Sequence, residues 1–549
     1  MNKVNLASRF LIGLVSFIGI LTQPAISGVR LPSVIGDHMV LQQRTKAPIW
    51  GWANPGEKVQ VKASWDDSTG IASADENGHW KVSLKTPPAG GPFTIEISGE
   101  NQIVLTDILV GEVWLCSGQS NMQMALNFPK PGYAKPVLNH LEEIRNADHP
   151  RLRLFHVPYK ASDTPVEDCK ASWHACSPET VGDFSAIGYF FGRELLEQLD
   201  VPIGMINASQ GGSALESWTN PAVLAADKEY EHILKRYENA LKNLPVTKAK
   251  YQEELDAWKK LSSEEQAKAL RPMAPFGMLN FCAPSTLYNG MINPVLPFSI
   301  RGVLFYQGEE NAIWPTNYEK LFAAMIRSWR EAWGEPELAF FYCQLPGAGE
   351  PAKEPPDRQP QTDPLTQQYL EWHKTAGEPA NMSSESWAKV QEAQLRTLRV
   401  PNTGMAVTID IGDGGNGHPP NKQEVARRLA LNALAQIYGK DVVYSGPIYD
   451  SLRIEGRRAV ISFAKLQSPL TTRDGKPPVG FSVAGPDRVF HAAEARIEGD
   501  TVVVSSGEVP DPVAVRYGWA TYAANSLVNE AGLPASPFRT DNWQESAKQ

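Results

Sequence analysis

The 549-residue chain has only five cysteines, no run of basic residues, and no metal-binding motif of the CxxC or HExxH type. Five cysteines are too few for disulfides to be the main support of a chain of this length. A net charge of −9 without a basic run argues against a nucleic-acid partner. The histidines are scattered, so the sequence gives no indication of a metal site.

Long apolar runs are also absent, apart from one at the N-terminus. There FLIGLVSFIGILT follows Lys3 and Arg9 and precedes the small residues Ala25 and Ser27. This order is typical of a secretory signal peptide covering residues 1–27, and an uncleaved membrane anchor is the alternative. We therefore predict a secreted or periplasmic protein that is not attached to a membrane after signal cleavage.

The cysteines present fall into two groups. Cys169 and Cys176 are close enough in sequence to form a disulfide, whereas Cys116, Cys282 and Cys343 sit in apolar runs and are predicted to be buried thiols.

The hydrophobic pattern changes twice along the chain and predicts three domains of mixed class. Residues 28–110 contain short strand-like runs between turn signals, which favours a small β-sandwich. Over residues 111–440 unbroken apolar runs alternate with helical patterns, as in an α/β fold with a parallel sheet covered by helices. Residues 441–549 are again typical of a β-sandwich. Within the central domain, the charged stretch 222–272 predicts an inserted helical hairpin or lid.

Four glycine-containing loops follow predicted strands of the central domain. Ligands bind at the carboxyl ends of the strands in open α/β sheets, so these loops are where chemistry is expected. Each loop combines glycine with polar side chains that can donate or accept protons. They are SGQSNM after VWLC, QGGSALESW after IGMINAS, QGEENA after GVLFY, and GDGGNGHPPNK after AVTIDI.

Together the loops contain the parts of an acyl-transfer site. Ser120 is the candidate nucleophile, with a plain helix cap as its alternative role, and His418 is the candidate base because a serine hydroxyl needs one at neutral pH. The oxyanion of the tetrahedral intermediate needs preorganised donors. We assign these to the backbone N–H of Ser120, the N–H of Gly211 or Gly212, and the side-chain amide of Asn311.

These loops resemble the four conserved blocks of the SGNH (GDSL-like) hydrolases. More narrowly, the chain resembles the sialate O-acetylesterase-like carbohydrate esterases over nearly all of its mature length. The resemblance implies an SGNH-type catalytic domain that hydrolyses O-acetyl groups through an acetyl-enzyme, without a cofactor. The matching segments are GQSNM at 118–122, Gly211-Gly212, QGEEN at 307–311, His418-Pro419, GDHMVLQ at 36–42, YNGMINP at 288–294 and GLPASPFRTDNW at 532–543.

By resemblance the partner is an acetylated carbohydrate, either sialic acid or a plant polysaccharide such as xylan or xyloglucan. Gln119, Gln307, Glu309 and Trp218 are predicted to contact it, although Glu309 is equally suited to pairing with a cation or capping a helix. The oligomeric state cannot be inferred from the sequence.

The third member of a catalytic triad departs from the family pattern. SGNH enzymes commonly place aspartate three residues before the histidine, where this chain has Gly415, and narrower relatives place it two before, where Asn416 stands. We predict Asp413 as the acid. Asp410, Asn416 or a Ser–His dyad without a carboxylate remain alternatives, because the histidine needs a partner but not necessarily an acid.

Residues 412–417 also satisfy the dinucleotide-binding pattern GxGxxG. In such a site the helix must begin within the glycine turn, but here His418-Pro419-Pro420 follows, and Asn421 with Glu424 forms the predicted N-cap. We therefore predict no cofactor.

Two other functions remain possible on the sequence alone. The β domains and the unusual residues before His418 would also suit a secreted carbohydrate-binding protein whose catalytic site has decayed. A glycosidase using Glu309 and Glu310 is disfavoured, because adjacent side chains diverge while retaining enzymes need carboxyls about 5 Å apart.

Overall fold

The structure is a computed structural model that describes residues 28–543 except 67–68, 128–133, 349–370, 372–373, 375–384, 413–416 and 465. Four sequence predictions therefore lie outside the described residues: the signal peptide, most of a Pro-rich surface loop predicted at 347–380, and the roles of Asp413 and Asn416. Among the described residues, we find no helix with the length and apolar character needed to cross a bilayer.

The N-terminal region is built from antiparallel strands with one exception. Strands β2 and β5 pair with each other, β3 pairs with β4 and β6, and β7 pairs antiparallel with β6 and parallel with β1. Alternate residues of β3 and β5 are buried, as expected for a sheet with one face on a core. The strands are β1 (Val40–Gln42), β2 (Lys46–Trp52), β3 (Lys58–Ala63), β4 (Thr69–Ser73), β5 (His79–Lys85), β6 (Gly90–Ser98) and β7 (Gln102–Gly118).

Strand β7 is 17 residues long and belongs to two parts of the molecule. Its first half pairs with β6, and its second half lies in the central parallel sheet. The boundary that we predicted at residue 110 therefore falls inside one strand, and buried apolar residues on both sides of it form one continuous core.

The central sheet has the order β13-β12-β11-β7-β10-β8-β9, and every neighbouring pair is parallel except β8 and β9. All residues of β10, β11 and β12 are buried, which explains why apolar residues predominate in these strands. The predicted α/β class is confirmed. The strands that complete the sheet are β8 (His149–His156), β9 (Trp173–Cys176), β10 (Ile203–Ser209), β11 (Gly302–Tyr306), β12 (Ala339–Cys343) and β13 (Thr403–Ala406).

Helices cover both faces of this sheet. Adjacent residues of β12 point to opposite faces of the sheet. On one face Phe340 contacts Trp329 of α7. On the other face Phe341 stacks on Trp114, and Trp114 contacts Phe191 of α3. The helices are α1 (Ser120–Gln123), α2 (His140–Arg145), α3 (Ala186–Leu199), α4 (Pro221–Ala226), α5 (Glu231–Lys259), α6 (Ser263–Lys268), α7 (Tyr318–Trp333), α8 (Ser386–Thr397) and α9 (Lys422–Gln436).

The inserted segment differs from the predicted hairpin. It contains one 29-residue helix, α5, and the short α6, which begins with a capping box at Ser262. Pro245 lies inside α5 and does not divide it into the two helices of a hairpin.

The C-terminal region has its own core and consists of antiparallel sheets. Two four-stranded sheets have the orders β14-β15-β20-β19 and β18-β17-β21-β23, and β16 pairs with β22. The strands are β14 (Ile448–Glu455), β15 (Arg458–Ala464), β16 (Leu470–Thr472), β17 (Phe481–Ala484), β18 (Phe490–Ala492), β19 (Glu494–Glu498), β20 (Thr501–Ser505), β21 (Ala514–Tyr517), β22 (Leu527–Asn529) and β23 (Phe538–Arg539).

All five cysteines are buried free thiols. The possible disulfide between Cys169 and Cys176 is therefore not formed, while the predicted burial of Cys116, Cys282 and Cys343 is confirmed.

Candidate active site

Ser120 is the first residue of α1 and stands just beyond the carboxyl end of β7. The turn between them requires glycine at position 118, where φ is +122° and a Cβ atom would lie 2.1 Å from the backbone oxygen of Tyr306. Gln119 occupies the N-cap position and no side chain caps the helix, so Ser120 is not the helix cap that we considered as its alternative role.

The structure brings His418 to Ser120 although the two residues are 298 positions apart. His418 Nε2 lies 2.8 Å from Ser120 Oγ, and both side chains are half-buried. Burial, together with the nearby positive charge of Lys422, lowers the pKa of His418 from 6.5 to about 4. The imidazole is therefore neutral at pH 7, and its Nε2 can accept the hydroxyl proton of Ser120.

Beside this pair lies a buried polar network that sequence reasoning missed. The fully buried Lys422 places Nζ 2.5 Å from Asn121 Oδ1. Asn121 Nδ2 in turn donates to Glu309 Oε1 at 2.5 Å and to the backbone oxygen of Gly417 at 2.9 Å. Asn121 therefore ties the segment that carries the serine to the segment that carries the histidine.

Glu309 belongs to this network, which favours the cation-pairing alternative that we considered for it. Burial raises the pKa of Glu309, against the opposing effects of its bond from Asn121 and the charge of Lys422. Burial likewise lowers the pKa of Lys422 to about 7, against the charge of Glu309. Asn121 stands between the two groups and bonds to both.

The glycine pair after β10 lies next to the serine. A Cβ atom on Gly211 would be 3.3 Å from Ser120 Cβ, so the two backbones are close. The N–H of Gly211, however, donates to Gln123 Oε1 at 2.8 Å. Of the two amides that we predicted as oxyanion donors, that of Gly212 is therefore the better candidate.

Asn311 is held by several hydrogen bonds in the short 3₁₀ helix after β11. Its Oδ1 accepts from the N–H of Leu215 at 2.9 Å and from Gln307 Nε2 at 2.7 Å, and its Nδ2 donates to Glu216 Oε2 at 3.0 Å. Because a primary amide has two N–H groups, the bond to Glu216 uses only one of them.

Three residues that we predicted to contact substrate are buried in the framework of the site. Gln119 Oε1 accepts from the N–H of Gly308 at 3.1 Å, and Gln307 holds Asn311. Trp218 is 0% exposed, and its indole N–H donates to Ser213 Oγ. Their polar groups join neighbouring loops, and substrate contact by Gln119, Gln307 and Trp218 stays a prediction.

One alternative to Asp413 and the predicted N-cap of α9 can be placed. Both carboxylate oxygens of Asp410 pair with Arg428 of α9, at 2.6 and 2.8 Å, so Asp410 is held by that helix. The predicted N-cap is confirmed, because Asn421 Oδ1 accepts from the N–H of Glu424 at 3.1 Å. Helix α9 thus begins after residues 412–417. In a dinucleotide-binding site the helix would begin within that glycine segment.

Comparisons with known proteins identify the family of the chain and support its fold. The family described as "Carbohydrate esterase, sialic acid-specific acetylesterase" matches residues 110–274. The sialate O-acetylesterase of Mus musculus is 27% identical over 553 residues, covering 93% of this chain and 94% of that protein. The Homo sapiens protein of the same name is 26% identical over 550 residues, covering 93% and 92%.

A solved structure is similar over almost the whole chain. The carbohydrate acetylesterase from Xanthomonas citri is 34% identical, covers 94% of this chain and 100% of its own, and superposes with a TM-score of 0.74. The fold, the site and these similarities define the protein as a carbohydrate esterase. The chain belongs to the family of sialate O-acetylesterase-like carbohydrate acetylesterases, and the resemblance found in the sequence is confirmed.

Proposed function

We propose that the protein removes O-acetyl groups from sugars by a serine mechanism in which Ser120 is the nucleophile and His418 the base. The observation that carries the proposal is the 2.8 Å contact between Ser120 Oγ and His418 Nε2. The neutral imidazole takes the hydroxyl proton as Oγ attacks the acetyl carbonyl carbon. It then gives the proton to the departing sugar oxygen, which leaves an acetyl-enzyme. Water deprotonated by the same imidazole releases acetate.

The oxyanion of each tetrahedral intermediate is stabilised by amide protons around Ser120. We assign the backbone N–H groups of Ser120 and Gly212 and the unused N–H of the Asn311 side chain. The position of Gly211 against Ser120 supports this arrangement, since it brings the loop after β10 next to the serine. Preorganised donors of this kind typically contribute a factor of about 10²–10³ each to the rate.

Asp413 remains our proposal for the residue that orients His418. The engagement of Asp410 by Arg428 supports it by removing the other nearby carboxylate. Asn416, or a dyad without a carboxylate, is the remaining alternative, because tautomer and ring orientation can also be fixed by a neutral acceptor.

The substrate is an O-acetylated sugar, and acetylated sialic acid is the first candidate because the curated relatives are named sialate O-acetylesterases. Acetate release should be measured from O-acetylated sialic acid, acetylated xylan and acetylated xyloglucan, with 4-nitrophenyl acetate as a reference. We expect at least one acetylated sugar to be deacetylated with a higher kcat/KM than the reference ester. Binding of these sugars without acetate release would instead support the non-catalytic alternative.

The acid limb of the pH profile should lie unusually low. Because the pKa of His418 is lowered to about 4, its neutral, proton-accepting form persists well below the ordinary value of 6.5. We expect kcat/KM to be level down to roughly pH 5 and to fall by half near pH 4, as measured by acetate release in buffers of constant ionic strength.

The variant Lys422→Met tests the cause of this shift. Removing the positive charge should move the midpoint of the acid limb upward, but not fully to 6.5, because burial is the larger cause. A wild-type midpoint near 6.5 would show that this environment does not lower the pKa of His418, although His418 could still be the base.

A further inference from the structure

The inserted helix α5 contributes a buried arginine to the candidate site. Most of α5 is exposed and rich in lysine and glutamate, and its buried residues include Ile233, Arg236 and Ala240. Arg236 is only 3% exposed. A charged side chain is buried to this extent only when it is paired, so its partners indicate what it does.

Arg236 joins the two loops that carry the proposed oxyanion donors. Its Nη2 pairs with Glu216 Oε1, in the 3₁₀ helix Leu215–Trp218 that follows the glycine pair. Its guanidinium also lies 4.0 Å from the centroid of the Trp314 ring, immediately after the 3₁₀ helix that contains Asn311. Such a planar cation on an aromatic face holds both position and orientation.

The second oxygen of Glu216 reaches the oxyanion hole itself. Glu216 is 2% exposed, and its Oε2 accepts the hydrogen bond from Asn311 Nδ2 at 3.0 Å. An uncompensated carboxylate at this position would oppose the negative charge that develops on the acetyl oxygen, because charges interact strongly where water is excluded. The guanidinium of Arg236 supplies the compensating charge.

Two residues that follow the inserted segment, Phe281 and Cys282, contact Gly212 on the other side of the proposed oxyanion hole. Cys282 Sγ donates to the backbone oxygen of Gly212 at 3.3 Å, and a Cβ atom on Gly212 would be 3.1 Å from the Phe281 ring. Residues between α4 and β11 thus support both the Gly212 side and the Asn311 side of the proposed oxyanion hole.

We propose that Arg236 is a positioning residue for the oxyanion hole, which neutralises Glu216 and so fixes the Asn311 amide for the transition state. The inserted helix then supports catalysis through Glu216 and Asn311 instead of serving only as a lid. This inference rests on the proposed function, in which Asn311 is an oxyanion donor.

Charge compensation provides the test. Arg236→Met leaves Glu216 buried and unpaired, and we expect its kcat, per mole of folded enzyme, to fall by about 10²-fold with KM changed less than about twofold. The double variant Arg236→Met/Glu216→Gln removes both charges and should recover most of the lost kcat. Lys235→Met is the matched control, because Lys235 is an exposed neighbour on the same helix and should retain wild-type kcat.

Two further measurements separate the possible failures. The amount of folded enzyme is quantified by circular dichroism. If Arg236→Met does not fold, Arg236→Lys and the double variant are compared with wild type instead. Both of these variants should keep a kcat within about tenfold of the wild-type value. If Asn311→Ala retains full kcat, the oxyanion assignment of the proposed function fails. If Asn311→Ala loses kcat while Arg236→Met does not, or while the double variant is as slow as Arg236→Met, the role of Arg236 is overturned.

Discussion

Ser120→Ala is expected to lower the rate of acetate release by at least ~10⁴-fold, because loss of a serine nucleophile removes the covalent route as a whole. The hydroxyl is the group that His418 contacts, and alanine cannot replace it. The change removes one half-buried oxygen at the start of a four-residue helix, so the fold should be unaffected. Steady-state acetate release from an acetylated sugar measures the effect, with far-ultraviolet circular dichroism and the melting temperature as checks of folding.

A serine outside the site provides the control for this substitution. Ser328 lies in α7, is buried, and donates its hydroxyl to the backbone oxygen of Met325. Ser328→Ala should retain wild-type kcat/KM. Near-normal turnover by folded Ser120→Ala would place the nucleophile elsewhere and remove the basis of the serine mechanism.

The central fold was predictable because its signals are local. Apolar runs that alternate with helical patterns predicted the α/β class of residues 111–440, and all residues of β10, β11 and β12 are indeed buried. Since parallel strands place their carboxyl ends at one edge, the loops after β7, β10, β11 and β13 could also be assigned to one site before the structure was known.

What the sequence did not reveal depends on contacts between distant segments. The burial of Lys422 against Asn121 joins positions 301 residues apart, and nothing in the local pattern distinguishes this lysine from a surface one. The same holds for Arg236, which lies in a helix whose composition is that of a solvated arm. Strand β7 runs through the predicted boundary at residue 110, because its first half pairs with β6 and its second half pairs with β10 and β11.

The glutamines of the motifs have a structural role that their position in the sequence does not show. Gln119 and Gln307 stand beside the reactive residues in sequence, which suggested contact with substrate. In the structure Gln119 Oε1 accepts from the N–H of Gly308, Gln307 Nε2 donates to Asn311 Oδ1, and both side chains are buried. Loops with few backbone partners need such bonds, because an unpaired buried polar group costs about 1–3 kcal/mol.

The other large effect is expected at the histidine. His418→Ala should lower kcat/KM for acetate release by about 10³–10⁴-fold, because the hydroxyl of Ser120 then has no base within hydrogen-bond distance and stays protonated at neutral pH. Added imidazole should restore part of the rate, since the truncation opens a space next to Ser120 Oγ. His174→Ala is the matched control, because His174 is exposed, bonds to Ser172, and should be dispensable.

The partner of His418 is decided in the same assay. Asp413→Ala should lower kcat by roughly 10²–10⁴-fold if its carboxylate orients the imidazole, whereas Asn416→Ala should then have a much smaller effect. The reverse order would assign the orienting role to Asn416, and near-full turnover by both folded variants would indicate a dyad.

Full activity of folded His418→Ala without imidazole would contradict the mechanism itself, since the contact to Ser120 would then have no chemical role.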